Sequence, residues 1–156
     1  MRRSTLTGTR HTATGPARAI TALSWAMRLL VAGILFQTLF FKFTAAKESV
    51  FIFQTLGMEP WGRIGSGVVE LVAGILILSP RGVALGAMLA TATMTGALGA
   101  HLTKLGLIVE GDGGLLFGLA LTVMAGSIAL LFIHRRSIPW FVKSPVPATS
   151  ESGRIA

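Results

Sequence analysis

One carboxylate, Glu70, stands at the centre of an apolar run, Trp61 to Ser79, that is long enough to cross a bilayer. A charge at that depth costs roughly 2.5–3.5 kcal/mol on insertion scales, so the side chain is expected to face protein and to have a partner. Gly67, Ala73 and Gly74 lie beside it on a helical wheel. Small neighbours of this kind let a second helix come close, which places Glu70 toward a bundle interior and away from lipid.

Composition names the solvent. The 156 residues are 52% hydrophobic and 13% charged, with a mean hydropathy of +0.71, far above that of a soluble domain of this length. The sequence reads as an integral membrane protein. It contains no Cys, which excludes a disulfide framework, a thiolate metal site and a thiol relay carried by this chain alone. Three His residues leave little for a metal cluster, so no metal site is expected.

Four stretches reach the roughly 20 residues that a hydrocarbon core requires: Ala22 to Ala46, Trp61 to Ser79, Gly82 to Lys104 and Gly114 to His134. Pro60 suits the first turn of the second helix, where its missing N–H costs nothing, and Ser79-Pro80-Arg81-Gly82 predicts a tight turn between antiparallel helices. Asp112 can cap the fourth helix. Ser49 to Leu56 is too short to span and carries Val50, Phe51, Phe53 and Leu56, which predicts an interfacial or re-entrant helix ended by Gly57. The expected fold is therefore an all-α, four-helix membrane bundle occupying residues 22–143. Residues 1–21 read as a disordered basic tail and 144–156, rich in Pro, Ser and Thr, as a second one. A cleaved signal peptide fits less well than a retained first helix, because the apolar run exceeds the roughly 7–15 residues of a signal core and no good Ala-x-Ala site closes it.

Basic residues set the expected orientation. Arg2, Arg3, Arg10, Arg18, Arg28, Arg81, Arg135, Arg136 and Lys143 fall on one side, whereas the other balances Lys47, Arg63 and Lys104 against Glu48, Glu59, Glu110 and Asp112. Both termini are expected in the cytoplasm, with the chain in the inner or plasma membrane. The high isoelectric point reports this topology and attraction to anionic lipid; a tail so short and without aromatics does not predict nucleic-acid binding. Trp61 and Trp140 fall where an aromatic belt would hold them.

Gly82, Gly86, Ala90, Thr93, Ala97 and Ala100 recur every three or four residues along the third long helix, which predicts close contact along this stripe. Gly67 and Gly74 on the second long helix, with Gly86 and Ala97 on the third, are the expected packing positions. Gly114 and Gly118 open the fourth with the same spacing. Intramolecular packing is the simpler account of these stripes, and a homo-oligomer stays open. Lys42 and His101 are the candidate partners of Glu70. At about 1.5 Å per residue, each sits roughly 10–12 Å nearer the outer surface, so direct pairing needs an offset of the helices or a bridging water. Arg28 lies about 21 Å from Lys42 along the first helix and reads as an anchor at the cytoplasmic end.

The segments Phe41-Lys42-Phe43, Leu56-Gly57-Met58-Glu59-Pro60, Glu70-Leu71-Val72-Ala73-Gly74 and Gly96-Ala97-Leu98-Gly99-Ala100-His101-Leu102, with Arg28 opening the first helix, resemble the DoxX and DoxX-like membrane proteins over residues 28–133. That resemblance implies a four-helix membrane bundle and association with membrane oxidoreductase complexes, including a thiosulfate:quinone oxidoreductase subunit. Redox relatives linked to disulfide formation rely on Cys, which this chain lacks. Three functional classes follow. The first is a membrane subunit associated with an oxidoreductase, with a quinone-like or other lipid ligand between the helices and Glu70, Lys42 and His101 in contact with it. The second is a non-catalytic structural subunit or assembly factor with other membrane-complex subunits as partners. The third is a small solute or proton transporter. Gly111-Asp112-Gly113-Gly114 is loop and cap chemistry, and no phosphate-binding loop or dinucleotide fingerprint occurs. Catalysis by this chain alone is not expected, nor is a covalent cofactor.

Overall fold

A computed structural model describes residues 15–135, so both expected tails apart from residues 15–21, together with Arg136, Trp140 and Lys143, lie outside the described residues. Helix α1 runs Gly15–Phe43, α2 Lys47–Thr55, α3 Trp61–Leu78, α4 Val83–Ala100 and α5 Leu115–Ile133, with a π-helical turn over His101–Leu105 continuing α4. Four of these, α1, α3, α4 and α5, are long and apolar enough to cross a membrane. The protein is an all-α membrane bundle, a helix being able to satisfy its interior backbone donors and acceptors within itself, as hydrocarbon demands.

Turn chemistry falls where the sequence puts it. The reverse turn at Ser79 to Gly82 is closed by the Gly82 N–H donating to the Ser79 carbonyl at 3.2 Å. Pro60 is the residue before α3. Leu56 closes α2, and Gly57 adopts φ +72°, the left-handed conformation that lets the chain reverse after a helix. One boundary differs. α1 begins at Gly15, seven residues before the expected start, because Ala17, Ala19 and Ala22 sustain a helix past the edge of the apolar window.

The four long helices close a ring in which α1 packs on α3, α3 on α4, α4 on α5 and α5 on α1. Its core is built from Val31, Leu35, Ala73, Ile77, Ala87, Ala90, Val123 and Leu130. On α3 the buried residues Arg63, Gly67, Glu70, Ala73, Gly74 and Ile77 follow a helical period, and so place the carboxylate inside. Contact between helices is closest at glycine. A Cβ at Gly86 would stand 2.7 Å from both the Ala73 carbonyl oxygen and the Ile77 nitrogen, so α4 rides directly on the α3 backbone. At Gly74 it would meet the Phe36 ring at 2.6 Å, and at Gly126 the Val31 side chain at 2.5 Å. Gly118, expected to pack closely, has no atom within 4 Å of that position.

The small-residue stripe of α4 divides midway. Gly86 and Ala90 are buried against neighbouring helices, whereas Thr93, Ala97 and Ala100 are half-buried and border a cavity. Ala97, expected at a helix contact, instead lines open space: the side chains opposite it do not fill the gap its small size leaves.

Candidate functional site

The cavity lies at the end of the bundle that carries α2, and its volume is about 540 Å³. Its wall is mostly hydrocarbon from α1, α2, α4 and α5, and its polar groups include Thr38, Lys42, Ser66, Glu70, Thr93 and His101. Volumes of a few hundred Å³ with an apolar wall and a few convergent polar groups are typical of small-molecule sites.

Glu70 is 3% exposed and meets Lys42 directly, Nζ to Oε1 at 2.5 Å. Its second oxygen accepts from the Thr38 hydroxyl at 3.1 Å. The axial separation expected from residue counting is therefore bridged without water. Lys42 belongs to the last turn of α1, at the level of Arg63 on α3, whose Nη1 donates to the Lys42 carbonyl. From there the lysine stem passes Gly67, where a Cβ would be 3.7 Å from Lys42 Cδ and 3.1 Å from the Phe43 ring. Arg63, Gly67 and Glu70 are successive positions of one α3 face, so the flexible stem spans two turns of its neighbour along a groove that glycine leaves open. The ammonium turns inward to its carboxylate rather than outward to water.

Arg63 fixes this geometry. Its Nε donates to both carboxylate oxygens of Glu59 at 2.9 and 3.0 Å, and Nη2 lies 2.7 Å from Glu59 Oε1. The same guanidinium therefore ties the end of α1 to the start of α3, and places positive charge where the carbonyls of α1 end. From α2, the Phe53 ring centroid lies 6.0 Å from the Lys42 ammonium.

His101 lines the cavity but does not join the Lys42–Glu70 pair. It is 5% exposed, its Nδ1 lies 2.8 Å from the Gly106 carbonyl oxygen, and its ring stands edge-on to Phe117 at 5.5 Å. A carbonyl only accepts, so Nδ1 carries a proton and donates it to Gly106. The π turn produces this arrangement. The Gly106 N–H reaches back five residues to the His101 carbonyl at 2.9 Å, which brings the Gly106 carbonyl round to the ring. π turns of this sort recur at functional sites.

Asp112 organises the adjoining loop. Its carboxylate accepts from the N–H groups of Leu116, Gly114 and Val109, each at 2.9 Å, and so serves the first turn of α5 as expected. The Leu116 N–H above all, helped by the other two and by nearby His101, holds the Asp112 carboxyl below the ordinary carboxylate range.

Arg28 lies midway along α1, level with the end of α5, and is 6% exposed. It turns inward: its guanidinium carbon stands 4.7 Å over the Trp25 ring, and Nη2 lies 3.3 Å from His134 Nε2. The Ser24 hydroxyl lies 2.9 Å from the same nitrogen. Arg28 thus links α1 to the end of α5. Among the described residues no group of three or more His, Cys, Asp and Glu could hold a metal ion.

Thr38 and Arg63 are the site residues that the sequence reading missed as contacts of the pair. Thr38 precedes Lys42 by four residues and so shares its face of α1, and Arg63 stands seven residues before Glu70 on one face of α3; both spacings are visible in the sequence. No family model, curated protein or solved structure was found to match this chain.

Proposed function

We propose that the protein is an integral membrane subunit that holds a lipophilic, quinone-like molecule in the cavity, in association with a membrane oxidoreductase. The cavity carries the reading: an apolar chamber of about 540 Å³ in a membrane bundle, with the Lys42–Glu70 pair and His101 in its wall. A quinone ring and the start of its isoprenoid tail match such a wall, while a ring oxygen finds a donor in the Lys42 ammonium, which has N–H groups beyond the one given to Glu70. Reduction of a quinone to a quinol takes up two electrons and two protons. The electrons come from the partner enzyme, and the Lys42–Glu70 pair sets a proton donor and a proton acceptor beside the ligand. The association with an oxidoreductase rests on the resemblance to the DoxX-like proteins.

The test is purification in a mild detergent followed by mass spectrometry of bound proteins and lipids. A stoichiometric quinone, displaced by a short-chain analogue and lost in Ala97→Phe, which fills the cavity, supports the reading. Retention of a protein partner with no lipophilic ligand would favour a structural or assembly role, and flux through proteoliposomes of the chain alone a transporter.

A further inference from the structure

The end of the bundle opposite the cavity holds an ionic group with no counter-charge among the described residues. The Arg28 guanidinium stays protonated at any ordinary pH, so its burial within a membrane-spanning helix calls for a compensating anion. Among the described residues no carboxylate pairs with it. Its one acceptor there is His134 Nε2, a neutral ring nitrogen in that role, reached by Nη2. Nε is buried with no acceptor, and Nη1 has none among the described residues. Stacking on Trp25 offsets part of the cost of burying the charge but supplies no negative charge.

The surroundings indicate where the anion comes from. Arg135, exposed, follows His134 at the end of α5, and Arg18, also exposed, lies about 15 Å further along α1, while Leu29 and Phe132 beside the site are exposed at 61% and 69%. Cations at the headgroup level above an apolar surface attract anionic lipid, while a guanidinium presents a fork that fits phosphate oxygens. We propose that Arg28, framed by Trp25, Ser24 and His134, binds the phosphate of an anionic phospholipid in the leaflet that meets the end of α5. The phosphate takes Nη1, and the acyl chains lie along the exposed apolar face of α1. His134 holds Nη2, so the guanidinium plane is set before the lipid arrives. The lipid then acts as a structural ligand that completes the seam between α1 and α5.

The experiment uses the full chain in detergent and follows thermal unfolding and native mass spectra on adding phosphatidylglycerol, phosphatidylcholine of the same chain length, or inorganic phosphate. Phosphatidylglycerol should raise the unfolding temperature and stay bound, with phosphatidylcholine and inorganic phosphate each at least tenfold weaker. Arg28→Gln should abolish the preference, and Arg28→Lys, which keeps the charge and loses the fork, should weaken it several-fold in a folded protein. Arg18→Gln and Arg135→Gln should leave it within about twofold, because distributed surface attraction is not the source. Equal effects of the two lipids, full stabilisation by inorganic phosphate, undiminished preference in Arg28→Lys, or an equal loss in Arg18→Gln would each overturn the proposal.

Discussion

Lys42 and Arg28 lie 14 positions apart on α1, roughly 21 Å along its axis, and the bundle treats them differently. Lys42 reaches a carboxylate at 2.5 Å beside a cavity, whereas Arg28 reaches a ring and a neutral imidazole in a tightly packed seam. Both turn away from water. The residue type decides which device works: a lysine stem is long and flexible enough to run along the Gly67 groove, while a planar guanidinium stacks and forks where it stands. One buried cation thus meets its counter-charge within the bundle, and among the described residues the other meets none.

The largest effect should come from breaking the internal pair. Glu70→Leu orphans the Lys42 ammonium in a region that is nearly dry, at a cost of about 3–5 kcal/mol, toward the lower end because lysine can swing outward from the last turn of α1. Lys42→Met should cost less, since Glu70 keeps the Thr38 hydroxyl as a donor. The double variant should recover most of the loss, giving a strong coupling in a thermal or chemical unfolding cycle. Glu70→Gln separates fold from function. It keeps size and hydrogen bonding, so yield should hold; full activity of the complex in this variant would sink the proton-handling role.

Next in size is the contrast between the packed and the open halves of α4. Gly86→Leu drives a side chain into the α3 backbone at Ala73 and Ile77, where nothing flexible can yield, and should cost at least the roughly 1–3 kcal/mol of overpacking. Gly118→Leu, with no atom within 4 Å, should stay within about 0.5 kcal/mol. Ala97→Phe should also fold, because it enters the cavity. Comparable unfolding temperatures for Gly86→Leu and Gly118→Leu would remove the packed half from the comparison.

The fold was legible because membranes narrow the choice: four apolar spans, a Pro-containing turn, a glycine after α2 and an aspartate before α5 left little freedom. Inside the site, legibility followed the reach of one-dimensional rulers. Counting rise per residue placed Lys42 too far from Glu70, because the count ignores a flexible stem lying along a glycine groove. It could not foresee that a π turn would commit His101 to Gly106. The small-residue stripe of α4 marked buried positions at Gly86 and Ala90 only, because spacing alone does not say whether small residues face a backbone, as at Gly86, or a void, as at Ala97. For Arg28, nothing near position 28 announces that His134 lies across the seam.

The smallest effect concerns that seam and is read by pH. His134 accepts the Arg28 N–H at Nε2, and burial first, then the Arg28 charge, hold its proton affinity below the ordinary histidine value. The unfolded chain therefore binds a proton on this ring more readily than the folded one. Stability from this group is complete above about pH 6.5 and declines as the pH falls from there toward the lowered folded value, below which it declines no further. Protonated His134 can no longer accept from Arg28, so the two cations repel and the end of α5 loosens from α1. Unfolding temperatures between pH 5 and 8 should fall on acidification in the wild type, and fall less in His134→Gln, which keeps an acceptor that does not titrate in this range. Identical slopes in the two proteins would show that the imidazole is not buried against Arg28 in the membrane-extracted protein. A slope that flattens when phosphatidylglycerol is added would instead join the two observations, the lipid phosphate supplying the negative charge that lets both cations stay.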